Sequence, residues 1–136
     1  MTHPTHPDTR TDRELLELAA KAAGIPDQEG GGGYMFAEVG ELHAVHWGIV
    51  TFLGIGNIRF WNPLDRGDQA IDLLVKLGLT ADTRYMTMVD GLATRIFRFE
   101  GIQHSPTIVE ELHGTDAIAA TRRAIVRAAA DIGDQQ

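Results

Sequence analysis

Two strand-rich stretches carry apolar side chains on both of their faces, and this limits the possible folds more than any other feature of the chain. From Leu42 to Trp61 the residues are rich in β-branched and aromatic types, with Gly54-Ile55-Gly56-Asn57 as the turn signal, which predicts a hairpin. A four-residue loop there sets Leu53 opposite Ile58, Thr51 opposite Phe60 and Val50 opposite Trp61. A second hairpin is expected where Asp90-Gly91 separates Tyr85–Val89 from Leu92–Phe99. In that register Tyr85, Val89, Leu92 and Ile96 share one face, and Met88, Ala93, Phe97 and Phe99 share the other. Thr107–Leu112 reads as one more edge strand. A sheet that is apolar on both sides needs a layer above and a layer below, and three helices split between the faces supply them. The expected class is α/β: a three-layer α/β/α sandwich around a largely antiparallel sheet, in the order αββαββ(β)α.

Each helix has its own sequence signals. Thr11-Asp12-Arg13-Glu14 has the form of a capping box. Leu15, Leu18, Ala19, Ala22 and Ile25 follow at helical spacing, and Gly24 with Pro26 supplies the stop. A middle helix is expected after Pro63, with Asp65 as N-cap, Asp68 placed favourably against the helix dipole, and an end at Gly78. Its buried stripe is predicted as Ala70, Ile71, Leu74 and Leu77. The last helix is expected from Thr115 or Asp116 to Ile132. Ile118, Ile125, Ala129 and Ile132 should point inward, and Arg127 should pair with Asp131 one turn on.

The 136 residues fit one domain, placed at 11–133. Residues 1–10, with two His-Pro pairs and no hydrophobic period, read as a disordered tail. Gly30 to Gly33 follow Asp27-Gln28-Glu29, and ordering four glycines costs much backbone entropy, so 27–33 is expected to be a mobile loop. A phosphate-cradling loop would lead into a helix through Lys-Ser or Lys-Thr, whereas here Tyr34-Met35-Phe36 follows.

Composition excludes several chemistries. Without cysteine there is no disulfide frame, thiolate nucleophile or Cys-ligated metal. A net charge of -7 repels phosphate backbones, so nucleic acid is not an expected partner. No apolar run approaches the ~20 residues of a membrane span and Met1–Asp12 is polar, so neither a membrane partner nor a signal peptide is expected.

The candidate site residues are Trp61, Asn62, Asp65, Arg66 and Asp68, because a strand running into a helix N-terminus is where α/β proteins often place ligands. Arg122, Arg123 and Arg127 add positive charge on the last helix of an acidic chain, suited to a carboxylate, a phosphate or an acidic surface. All eight also have structural roles to hand: Trp61 can cover a helix, Asn62 can form a turn, the aspartates can cap, and the arginines can form a solvated face. His43 and His46 fall on opposite faces of a strand, and Glu110, Glu111 and His113 contain one Glu-x-x-His where a carboxylate-bridged bundle needs two. No metal, cofactor or catalytic set is assigned.

Three segments, in order, are similar to those of the phage ABA-sandwich family of small phage and prophage proteins: Arg13 to Ile25, Trp61 to Asp68 and Ala119 to Gly133. They cover about a third of the chain, which departs from the family pattern at Arg66, where an acidic residue is usual. The resemblance implies a three-layer fold and a phage or prophage origin, hence the cytoplasm of a bacterial host, and it implies no catalytic residues. The resulting expectation is a noncatalytic accessory protein that binds a host or phage component, with homo-oligomerisation open. The alternative is a small-molecule-binding protein or enzyme using residues 61–68.

Overall fold

The computed structural model describes residues 8–26, 34–41, 44–54, 57–86, 91–100, 103–104 and 107–136. Thr11 opens helix α1, Asp12–Ala22: the Glu14 amide donates to its hydroxyl oxygen at 3.1 Å, and that hydroxyl donates to the Glu14 carboxylate at 3.2 Å. A Schellman motif closes the helix. Ile25 N–H donates to the Ala20 carbonyl and Gly24 N–H to that of Lys21, with Gly24 at φ 74°. Strand β1, Phe36–Glu41, follows, then β2, Ala44–Gly54, and β3, Asn57–Trp61, and the three form an antiparallel sheet in that order. Sequence reading had no β1, whose Glu38, Gly40 and Glu41 have low strand propensity; such residues are tolerated at a sheet edge.

The first hairpin keeps its expected register only at the turn, where Gly54 faces Asn57. A bulge between Phe52 and Gly54 then shifts it by one residue, so that Phe52 faces Ile58, Thr51 faces Arg59, Val50 faces Phe60 and Ile49 faces Trp61. This corrects the pairing of Leu53 with Ile58, of Thr51 with Phe60 and of Val50 with Trp61. It also seats Ile49 and Trp61 together in the core.

Helix α2, Gly67–Lys76, leads through Gly78, at φ 65°, into β4, Leu79–Met86, which pairs with β5, Gly91–Glu100. The second hairpin is also shifted: Tyr85 stands opposite Leu92 and Met86 opposite Gly91, where a two-residue turn at Asp90-Gly91 would set Tyr85 opposite Ile96, and the expected positions of Met88 and Val89 lie outside the described residues. The strands then pair back to Leu79, and Asp82 stands opposite Arg95, with which it forms an ion pair at 3.4 Å. The shift is even, so Leu92 and Ile96 keep a common face. The other face, expected to be apolar, carries Asp82, Arg84 and Arg95 beside Ala93 and Phe97. On its far side β5 pairs with β6, Gln103–His104, and with the expected edge strand β7, Val109–Leu112.

Helix α3, Ala117–Asp134, is capped by Asp116, which accepts from the Ala119 amide at 3.0 Å. It touches α1, α2, β4, β5 and β7, and its buried residues run Ala124 to Ala130 without a break. The class is α/β in the α+β sense, with three helices and two antiparallel sheets among the described residues, and its layers accord in outline with an α/β/α sandwich. Three apolar assignments change. Ile71 is 62% exposed and Ile118 is 69% exposed, while Leu73 takes the central place on α2 expected of Ile71. The expected tail and loop mostly lie outside the described residues, at 1–7 and 27–33, but Asp8 and Arg10 are held against α3 by ion pairs. Among the described residues no helix is long and apolar enough to cross a membrane.

Gly133 lets α1 and α3 approach closely: a Cβ there would lie 2.0 Å from the Leu18 carbonyl oxygen. That neighbour is backbone and cannot move aside. Gly133→Ala is therefore expected to lower stability by about 2 kcal/mol or more despite alanine's better helix propensity. Gly67→Ala, which meets nothing within 4 Å, should be neutral or raise stability by up to about 1 kcal/mol. Urea unfolding of both variants checks this, and equal stabilities would refute the close-contact account.

Candidate functional site

At the end of β3 the chain turns into α2, and the polar groups of Asn62, Gln69 and Arg122 are used internally there. Asn62 is buried; its side-chain oxygen accepts from Leu64 N–H at 3.1 Å, and its carbonyl accepts from the amides of Asp65 and Arg66 at 3.1 and 2.9 Å. Gln69 reaches back from the first turn of α2. Its amide nitrogen donates to the Phe60 carbonyl at 2.9 Å, and its oxygen accepts from Asn62 N–H at 2.6 Å. This side chain thus supplies a donor and an acceptor to the edge strand β3, as a neighbouring strand would. Arg122 donates from Nε to the Leu64 carbonyl at 2.8 Å, tying α3 to the same turn. Trp61 is packed into the hydrophobic core.

The exposed members of the junction do not converge on a ligand position. Asp65 is not the N-cap: that place is taken by Arg66, whose side chain makes no capping bond, and α2 starts one residue later at Gly67. The backbone turn on Asn62 delays the helix past Asp65. Arg66 instead pairs with Asp68 at 3.3 Å across open surface and holds the Asp68 carboxyl below its ordinary pKa. Of the three arginines, only Arg122 meets the junction. Arg123 pairs with Asp12 on α1 at 3.0 Å.

Arg127 anchors a separate charged cluster. The expected intrahelical pair with Asp131 does not form, because both residues have partners off the helix. Arg127 Nε meets Asp8 at 3.2 Å and its Nη1 meets Glu111 of β7, while Asp131 accepts from Arg10 at 2.7 Å. Arg10 also pairs with Asp8 at 2.6 Å. The Asp8 carboxyl is held well below the usual carboxylate range, chiefly by the Arg10 hydrogen bonds with a further contribution from Arg127, and burial opposes them; Arg10 is raised in turn by Asp8.

One turn nearer the start of α3 lies a neutral chain of hydrogen bonds. Thr121 donates to the Ala117 carbonyl at 2.8 Å, so the hydrogen in its 2.9 Å contact with Thr94 belongs to Thr94. His113 Nε2 must then be the donor to Thr94 at 2.7 Å. His113 Nδ1 is buried with no hydrogen-bond partner among the described residues. Glu110 and Glu111 alternate on β7, so the Glu-x-x-His spacing puts Glu110 and His113 on opposite sides. His46 lies on β2 opposite Val39, and His43 lies outside the described residues. Among the described residues no group of three acidic or histidine side chains is placed to hold a metal.

Gln69, Asp8 and Thr94 were missed in the sequence. A glutamine in the first turn after a strand is a weak signal, and the other two gain their partners only through tertiary contacts. No family model, curated protein or solved structure matches the chain.

Two outcomes follow from this geometry. Trp61→Ala should cost roughly 3 kcal/mol or more, by removal of a packed aromatic, whereas Asp65→Ala should stay within about 0.5 kcal/mol, being exposed with no cap to lose. Urea unfolding that shows a clear loss in Asp65→Ala would restore the capping role. A depressed carboxyl stabilises the folded state above its unfolded pKa of about 3.9 and loses that contribution as pH falls through the folded value. The stability gap between wild type and Asp8→Asn should therefore be full at pH 6 and shrink steadily below about pH 4. A gap that is constant with pH would contradict the assignment.

Proposed function

We propose that this chain is a noncatalytic accessory protein of phage or prophage origin that works by binding a host or phage protein, with the outer face of α2 as the contact surface. The observation that carries the reading is an inversion at the junction. Asn62, Gln69 and Arg122 turn inward onto backbone, while Ile71 and Val75, one turn apart on α2, stand 62% and 70% exposed. A small-molecule site needs convergent polar groups in a concavity, and a protein interface needs aliphatic side chains presented outward with polar groups at the rim. Asp72 and Lys76, paired at 3.7 Å beside the two aliphatics, supply such a rim. The phage origin rests on the three segments in family order within the sequence.

The test is affinity capture from phage-infected or lysogenic bacteria, using wild type and an Ile71→Glu/Val75→Glu variant. Both positions are exposed, so the variant should fold with an unchanged melting temperature. One or more proteins retained by wild type and lost by the variant is the expected result. Identical captures would remove α2 as the interface. A wild-type dimer in sedimentation that the variant dissociates would make the partner a second copy of the chain.

A further inference from the structure

The segment Asp8–Arg10 is tied to α3 by ion pairs, and its charges match the helix in order. Along α3, Arg127 and Asp131 are one turn apart, the spacing at which a base and an acid ordinarily pair with each other. Here each is taken by the opposite charge on the segment: Asp8 by Arg127 at 3.2 Å, and Arg10 by Asp131 at 2.7 Å. Glu111 on β7 completes the strip as a second carboxylate on Arg127. Two features make this contact exchangeable. Desolvated ion pairs gain little over their hydrated components. If the segment leaves, Arg127 and Asp131 remain close enough to pair, so the uncovered helix is not left with orphaned charges.

We propose that Asp8–Arg10 is a displaceable strap over a charged recognition strip formed by Glu111, Arg127 and Asp131, and that the competing occupant is a peptide segment with a carboxylate and a guanidinium two residues apart. The strap occupies the site as a built-in ligand, and a peptide with the same acid-spacer-base order replaces it. The carboxylate docks on Arg127 and the guanidinium on Asp131. The strip lies on α3 and β7, so occupancy here and contact through α2 are separable.

The experiment uses full-length protein and a fluorescein-labelled peptide with the sequence of residues 7–11, followed by anisotropy at low salt. The Asp8→Ala/Arg10→Ala variant, whose strap cannot hold, is expected to bind the peptide about tenfold or more tightly than wild type, because the competing closed state is gone. A peptide with acid and base exchanged should not bind, and adding Arg127→Gln to the variant should abolish binding. No binding to the strap variant, or equal binding to both proteins, would overturn the proposal. Amide hydrogen exchange on wild type gives a second reading that needs no folded variant. The Arg10 amide should exchange at least about tenfold faster than the amides of Ala124 to Ala130, by local opening. Protection equal to that of the helix would show that the strap does not open and would sink the idea.

Discussion

The contact between α1 and α3 is the constraint from which most of the remaining arrangement follows. Because Gly133 sits against the Leu18 carbonyl, the two backbones approach there more closely than a larger residue would permit. Once α1 is seated, the residues just before its N-cap lie within reach of α3, which lets Asp8 and Arg10 meet Arg127 and Asp131. The opposite side of α3 is closed by the sheet, and α2 touches it as well. A helix enclosed in this way has to be apolar around most of its circumference, and any charge within it must find a partner. Arg127 meets that condition with carboxylates from two different parts of the chain.

The same enclosure explains why the junction is better read as structure than as a ligand site. An edge strand that ends at Trp61 leaves peptide groups without a ladder partner, and unsatisfied buried peptide groups are costly. Gln69 and Arg122 meet that demand from two helices. Their polar atoms are then committed. What α2 presents outward includes Ile71 and Val75, one turn apart, beside the charged pair Asp72 and Lys76.

How much of this was legible in the sequence depended on the range of the interaction. Local signals read well: the Thr11 cap, the glycine ends at Gly24 and Gly78, the start of the last helix at Asp116 and the additional strand ending at Leu112 are all in place. Features decided by competition between local and distant partners did not. The bulge near Leu53 follows from seating Ile49 beside Trp61, and the second hairpin's register is matched to the Asp82–Arg95 pair. Helical spacing identified a buried stripe on α2, but Ile71 and Leu73 are both aliphatic, and only the position of α3 selects between them. Among the site residues, Trp61, Asn62 and Arg122 do meet at the junction, while Arg123 and Arg127 point to α1 and to the strip with Glu111. Spacing alone gives no means of dividing three arginines on one helix among three destinations.

Polar contacts also resolve a problem that the small-residue seam creates. An alanine-rich helix surface is smooth, so α3 could slide along the sheet by a turn with little change in apolar burial. Specific polar pairs remove that freedom because each is satisfied in one register only, and a displaced register would leave a buried charge or hydroxyl unpaired. Thr121 meets Thr94 near the start of the helix, Arg127 meets Glu111 further along, and Asp131 meets Arg10 beyond it. Thr94 and Glu111 are themselves cross-strand partners, so the first two contacts measure the helix against neighbouring points of one ladder. The apolar seam therefore supplies adhesion without position, and the polar atoms between α3 and its neighbours supply position with little net adhesion.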